Sequence, residues 1–279
     1  MGIHLGRLAT LTVVAALAQG AVAAHAADVQ RPVTAAAPLP SGWTVTIGAE
    51  LGATPSFLGS KNYEFNGMPV IDVRKAGTPR QFRSPRDGFG VAIIDNNQLR
   101  IGPVGNFVMP RWQKDDNALR GLGNVDFAFE FGAFAEYWWA PWLRTRGEIR
   151  QGVGGHGGLT GDLFADVVVP VTQGLTFSAG PRVSFATATA LSPYFSITPD
   201  QSFNSGLPVY NVKGGLKSYG AGAQIRYDWS AQFATYIFVE YERLTDSVAN
   251  SPLVRRRGDP NQTGVGVGIT YAFDIPDLW

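Results

Sequence analysis

Cysteine is absent from the 279 residues, charged side chains make up only 16%, and histidine occurs just three times. Without cysteine there is no disulfide framework, no thiolate metal site and no residue on which a bacterial lipid anchor could be built. The charged fraction falls well below the roughly 25% usual in soluble domains. The formal charge of +1 includes Arg7, which lies in a removable leader, so the mature balance is neutral and gives no reason to expect nucleic acid as a partner. Beyond the leader there is no apolar run of spanning length. A mature chain lodged in a membrane must therefore cross it as a closed barrel, because lipid leaves no other way to satisfy the backbone donors and acceptors.

What is plentiful is glycine, at 34 residues, and aromatic side chains, at 12%. The start of the chain is a processing signal: Arg7, an apolar run over residues 8–18, and the small-residue cleavage pattern Ala24-His25-Ala26. Residues 1–26 read as a signal peptide, and 27–42, rich in alanine and proline, as an exposed periplasmic linker.

Alternation then begins at once. In WTVTIGAELGAT, Trp43, Val45, Ile47, Ala49 and Leu51 share one phase and Thr44, Thr46, Gly48, Glu50 and Gly52 the other. That is period two over about the 9 to 11 residues that a tilted membrane strand needs. GNVDFAFEFGAFAEYWW, WLRTRGEIRQGV and GVGVGITYAF repeat the device. Twelve such segments, including 79–84 and 88–94, predict an all-β fold: a transmembrane antiparallel up-and-down β-barrel of about 12 strands over 43–273, with periplasmic termini and a tail over 274–279. The last strand should close the barrel against residues 43–54.

The connections fit. With both termini periplasmic, the turns on that side are short (76–78, 95–97, 140–141, 171–174, 230–232), and most of the others are long, above all 187–216. Trp43, Trp138, Trp139, Trp142 and Trp229 fall at the periplasmic strand ends, as an aromatic rim at a membrane interface should.

If the apolar phase meets lipid, charges of both signs point inward, among them Glu130, Arg144, Arg146, Glu148, Arg150, Glu240 and Glu242. They form either a network that stiffens the wall or the lining of a narrow channel. Catalysis has little to stand on: after leader removal His156, in GVGGHGGLTGD, is the only histidine, with no recognisable nucleophile arrangement around it. No catalytic, cofactor or metal site is expected. Arg255, Arg256 and Arg257 lie in the last outer loop, where guanidinium groups could meet lipopolysaccharide phosphates. The long outer loop carries Tyr194, Phe195, Phe203, Leu207, Val209 and Tyr210, enough apolar surface to cap the barrel or dip inside it.

SPYFSITPDQSFNSGLPVYNVKGGLKSYG, DSVANSPLVRRRGDPNQ, QGVGGHGG and FRSPRDGFGV followed by LRIGPVGNFVMPRW resemble the MltA-interacting protein/OmpV family over essentially the whole mature chain. The resemblance implies a small barrel in the outer membrane of a Gram-negative cell, in contact with lipid and lipopolysaccharide and inserted by the barrel assembly machinery. It further implies a scaffold that brings a murein transglycosylase together with a peptidoglycan synthase, or in other members a surface adhesin. The ending departs from the usual barrel terminus: DIPDLW follows the final strand, so either Phe273 or Trp279 would be the aromatic assembly signal, and Pro276 interrupts the ladder between them. The expected function is a non-enzymatic envelope scaffold, with a narrow solute channel as the alternative and a lipid-hydrolysing barrel third.

Overall fold

A computed structural model describes residues 42–276 except Pro79 and Asn97. The signal peptide, the linker up to residue 41 and Trp279 lie outside the described residues. The strands are β1 (Trp43–Pro55), β2 (Tyr63–Lys75), β3 (Phe89–Gly90), β4 (Ile94–Asp95), β5 (Leu99–Val108), β6 (Ala128–Ala140), β7 (Leu143–Gly154), β8 (Leu159–Pro170), β9 (Leu175–Ala186), β10 (Gly215–Asp228), β11 (Phe233–Leu244) and β12 (Asn261–Ile275). They form one 12-stranded antiparallel sheet in the order β2-β1-β12-β11-β10-β9-β8-β7-β6-β5-β3, with β4 also on β5. The sheet curls into a barrel whose two edges, β2 and β3, lie beside each other.

The alternation sets which face is outside. Along β12, Val267, Ile269 and Tyr271 are about half exposed while Thr270 and Ala272 are 4% and 3% exposed. Apolar residues face outward and polar ones inward, the reverse of a soluble core and what a lipid surround demands. As expected, β12 closes the barrel against β1, with Trp43 opposite Ile275 and Ala53 opposite Val265. The small phase of GVGVGITYAF also has a structural cause: a Cβ on Gly268 would run into the ring of Tyr236, and one on Gly266 into the ring of Phe238. These glycines leave lumen space for the aromatic side chains of β11.

The start of β1, the end of β12 and the short turns sit at one end of the barrel, the inner end; the opposite, outer end carries a folded lid. Its helices are α1 (Ala188–Phe195), α2 (Pro199–Ser205), α3 (Asp246–Ala249) and α4 (Pro252–Arg257), with a 3₁₀ turn at Asn117–Leu119. Thr187 caps α1 by accepting from the Ala190 amide, and Thr198 with Gln201 forms a capping box on α2. Two apolar clusters hold the lid together. Leu191, Phe195, Leu244, Val248 and Val254 centre one, and Phe57, Leu119, Ile197, Leu207 and Leu253 the other. The long loop therefore caps the barrel, and the molecule's apolar core lies over the outer mouth rather than within the wall.

One passage departs from expectation. Residues 80–88 are not a wall strand, and the segment expected over 88–94 is an irregular strand made of β3 and β4 on β5, continued by bonds from the Val91 amide to the Pro103 carbonyl and from the Ile93 amide to the Ile101 carbonyl. The chain leaves β2 at the inner end and climbs to β3 through the lumen. The reason is legible in PRQFRSPRDG: in either strand phase an arginine, Arg80 or Arg83, would face lipid, which is costly in the middle of a membrane.

Candidate functional site: the lumen and its outer lid

Strand β7 places Arg144, Arg146, Glu148 and Arg150 on one face, because successive side chains alternate sides. All four are buried; the three arginines find carboxylates on neighbouring strands, and Glu148 lies between Arg146 and Arg150 of its own strand. Arg144 Nη1 donates to Asp166 of β8 at 3.0 Å and Arg144 Nη2 lies 2.9 Å from Glu136 of β6. Arg146 donates to Glu148 at 2.7 Å and to Glu136 at 3.2 Å. Arg150 bridges Glu130, Glu148 and Asp162. Arg182 of β9 extends the network to Asp166 at 2.7 Å. Such a network is tolerable inside a protein only because each charge meets several partners.

Residues 80–88 are bound into this network from inside. Arg80 pairs with Asp228 of β10 at 2.5 Å, Arg86 with Glu242 of β11 at 3.4 Å, and Asp87 with Arg144 at 2.6 Å. Ser84 accepts from Arg182 at 3.1 Å, and the Gly88 amide donates to Glu148 at 3.2 Å. Phe82 lies edge-on to Trp138, and the Arg144 guanidinium sits 5.1 Å from the centre of the Phe82 ring. The segment thus ties together strands from around the barrel and occupies its axis. Sequence alternation identified the wall charges but not Arg80, Ser84, Arg86 and Asp87. The signal was available, since three arginines and two prolines within residues 79–86 make a poor lipid-facing strand.

Glu240 and Glu242 both face inward. Glu242 accepts from Ser218 at 2.7 Å, whereas neither oxygen of Glu240 has a hydrogen-bond partner and the nearest guanidinium nitrogen, Arg182 Nε, is 3.9 Å away. Glu50 accepts a hydrogen bond from Tyr236 Oη at 2.5 Å.

At the outer end Glu130 is a hub: Asn106, Thr160, Arg150 and His156 all reach its carboxylate, with His156 Nε2 at 3.1 Å. His156 is buried rather than loose in its glycine-rich loop, and its ring occupies the space that a Cβ on Gly152 would need. Above it, Arg111 donates to the carbonyls of Tyr194 and Pro193 at the end of α1, at 2.7 and 3.2 Å. Burial pulls the Arg111 guanidinium down to about 10 and pushes the Tyr194 phenol up to about 12. Asp116 clamps the β1–β2 loop by accepting from Ser56, Ser60 and Asn62. Burial alone would raise its pKa, but these bonds and that from the Ala118 amide hold it below the usual range.

Trp139, Trp142 and Trp229 project outward at the inner end, and the indole nitrogens of Trp139 and Trp229 donate to Thr145 and Thr235. Trp43 lies at the same end with the Lys75 ammonium over its ring, whereas Trp138 turns inward and donates to Glu136. Phe273 points outward on β12 opposite Val45. Of the three arginines in the last loop, Arg255 and Arg256 are exposed, while Arg257 donates to the carbonyls of Ala118, Arg120 and Ser205 and ties three lid segments together.

Three cavities are stacked along the lumen. The innermost, about 410 Å³, has Glu50, Arg80, Asp228 and Tyr236 in its wall. The middle one, about 320 Å³, is bounded by Glu50, Met68, Arg86, Phe238 and Glu240. The outermost, about 490 Å³, lies between Pro85–Arg86 below and α1 above. Among the described residues no cluster of three or more histidine and carboxylate side chains is placed to hold a metal ion.

Residues 47–273 match the family described as MltA-interacting protein MipA. The chain is 31% identical over 101 residues to the MltA-interacting protein of Escherichia coli (strain K12), and likewise to that of Shigella flexneri; each alignment takes in 36% of this chain and 39% of the relative. The chain thus matches well under half the length of these curated relatives. Among solved structures it resembles an outer membrane channel from Pseudomonas putida F1 (TM-score 0.43, 11% identity, 84% of this chain and 97% of that one) and the NanC porin (TM-score 0.39, 9% identity, 82% and 98%). With its match running from β1 into β12, the chain belongs to the MltA-interacting protein MipA family.

Proposed function

We propose that this protein is a non-enzymatic scaffold in the outer membrane of a Gram-negative cell, holding a cell-wall-remodelling enzyme at the inner end of the barrel. The observation that carries the reading is residues 80–88 along the barrel axis, locked to β7, β10 and β11 by Asp87, Arg80 and Arg86. A lumen so crossed and covered by a packed lid suits a rigid platform better than an open pore. The partner class is taken from the name of the curated relatives, MltA-interacting protein, and from the scaffold role that the family resemblance implies. The docking surface would be the short turns and tryptophan rim of the inner end, with Arg255 and Arg256 meeting lipopolysaccharide at the other. Crosslinked pull-down from envelopes, followed by identification of the captured periplasmic proteins, tests it. A murein-cleaving or murein-synthesising enzyme is the expected catch, and its consistent absence refutes the reading.

A second reading, a gated channel for small solutes, is favoured by the stacked cavities: Pro85 lines all three, Glu50 the inner two and Arg86 the outer two. Planar-bilayer recordings separate the two. The scaffold gives no steady conductance, whereas the channel conducts and alters its selectivity on Arg146→Ala. His156 reaches Glu130 rather than a serine, so His156→Ala is expected to leave lipid A mass profiles unchanged.

A further inference from the structure

The wall of the barrel is incomplete near its outer end. Residues 80–88 run through the lumen, so the strand between β2 and β5 begins only at Phe89, whose partner Gly105 is the outermost paired residue on that edge of β5. Beyond it β5 continues through Asn106, Phe107 and Val108, β2 reaches out to Tyr63, and among the described residues no strand lies between them. Neighbouring strands stand about 4.8 Å apart, so the missing one leaves a slot one strand wide. The outermost cavity meets this slot from within, lined by Glu64 and Asn66 of β2 on one side and by Asn106 and Val108 of β5 on the other. With the packed lid above and Pro85–Arg86 below, the side between β2 and β5 is where this chamber opens. Glu64 and Asn66 are exposed although they alternate inward, whereas the inward Arg150, Asp162 and Arg182 of β7 to β9 are buried. On the outer face the slot is bordered by rings: Phe65 is 92% exposed, and opposite it Phe107 stacks on Phe89 at 4.9 Å and lies 5.8 Å from Phe129.

We propose that the slot seats a single-chain amphiphile drawn from the membrane, its alkyl chain against Phe65 and Phe107 and its polar end at Asn66 and Asn106. Bare backbone edges are not tolerated against hydrocarbon alone, so an occupant here needs a polar end as well as a chain. Asn66 donates to Thr54 and Asn106 to Glu130, which leaves each side-chain amide a carbonyl oxygen and a second N–H for a ligand. The width admits one chain and not the glycerol backbone of a two-chained lipid. An extended peptide is the competing occupant, but β5 has little to offer it. The bonds from Val91 to the Pro103 carbonyl and from Ile93 to the Ile101 carbonyl show that odd residues of β5 turn their backbone groups to this edge, so beyond Gly105 only Phe107 could join a ladder. The proposal rests on the membrane location given above and not on the scaffold role.

The test exploits the absence of cysteine from the chain. Single-cysteine variants of the full mature chain are reconstituted in dioleoylphosphatidylcholine vesicles and alkylated by N-hexadecylmaleimide dissolved in the bilayer. Asn66→Cys and Asn106→Cys probe the slot, Ser178→Cys a buried site on β9 and Val267→Cys the lipid-facing side of β12. The slot thiols are expected to react about tenfold faster than Ser178→Cys, which the reagent reaches only through local opening of the wall. Added 1-monoolein should slow them severalfold, while two-chained dioleoylglycerol and free glycerol should not. Heat-modifiable gel migration verifies that each variant is folded. Slot thiols no faster than Ser178→Cys, no protection by monoolein, or equal protection by dioleoylglycerol would each overturn the proposal. Val267→Cys reports separately on the membrane location: if it fails to react, that reading falls and the proposal with it.

Discussion

Arg144 Nη2 donates to Asp87 Oδ2 at 2.6 Å inside the barrel, with the two side chains 0% and 4% exposed. One residue belongs to the wall and the other to the passage that climbs the axis, so this pair fastens the passage in place. Removing one partner of a buried pair typically costs about 3–5 kcal/mol. Because Arg144 keeps Glu136 and Asp166, Asp87→Ala is expected to cost about 3 kcal/mol. The denaturant midpoint of the detergent-solubilised protein measures this, and an unchanged midpoint would mean that the passage is held by other contacts.

Gly268 faces the ring of Tyr236, so a larger side chain there must displace it. Overpacking of this kind costs roughly 1–3 kcal/mol. Gly268→Val should therefore lower the temperature of the heat-modifiable gel shift, and adding Tyr236→Ala should restore part of the loss. If the double variant is worse than the single one by the full cost of Tyr236→Ala alone, ring and glycine are not coupled.

The Asp116 clamp gives the lid an acid limit. A carboxyl held below its ordinary range stabilises the fold above its unfolded pKa of about 4, and that contribution is lost as pH falls through the lower folded value. Hydrogen exchange at the Ser56 and Asn62 amides should stay slow from neutral pH down to about 4 and quicken below it, after correction for the intrinsic acid dependence. Asp116→Asn should exchange fast throughout. Protection in that variant equal to the parent's would remove the carboxylate from the account.

The last-loop arginines should separate by role. Arg257→Ala takes away the donor to three lid carbonyls and is expected to make the lid sensitive to protease while the barrel stays folded. Arg255→Ala and Arg256→Ala should leave protease resistance intact and reduce the lipopolysaccharide retained on purification. Equal behaviour of all three would count against the division.

The wall was legible in the sequence because period-two alternation is a local property. From Trp43 to Phe273 it fixed strand faces, the β1–β12 closure and the inward charges of β7 without reference to any distant residue. What it could not decide was whether an alternating segment is used as wall. Residues 80–84 alternate weakly, and only their arginines, weighed against lipid, argue for the lumen. The lid escaped for another reason. The packing of Phe57 with Leu253, or of Leu244 with Phe195, joins residues far apart in sequence and leaves no periodic trace in either loop. Nothing in GVGGHGGLTGD announced a partner for His156, yet Gly152 is what lets its ring lie inward against Glu130.

Sending one passage up the axis changes the parity of the wall. β2 and the β3–β4 passage both run from the outer to the inner end, so two neighbours travel in the same direction, and among the described residues no backbone hydrogen bond joins them. Arg83 covers one of the bare positions by donating to the Ile71 carbonyl at 2.6 Å. The first and last strands, by contrast, are laddered together from Trp43–Ile275 to Ala53–Val265. The barrel's mechanically weakest line therefore lies between β2 and β3 rather than where the first and last strands close, and any widening of the cylinder would begin along β2.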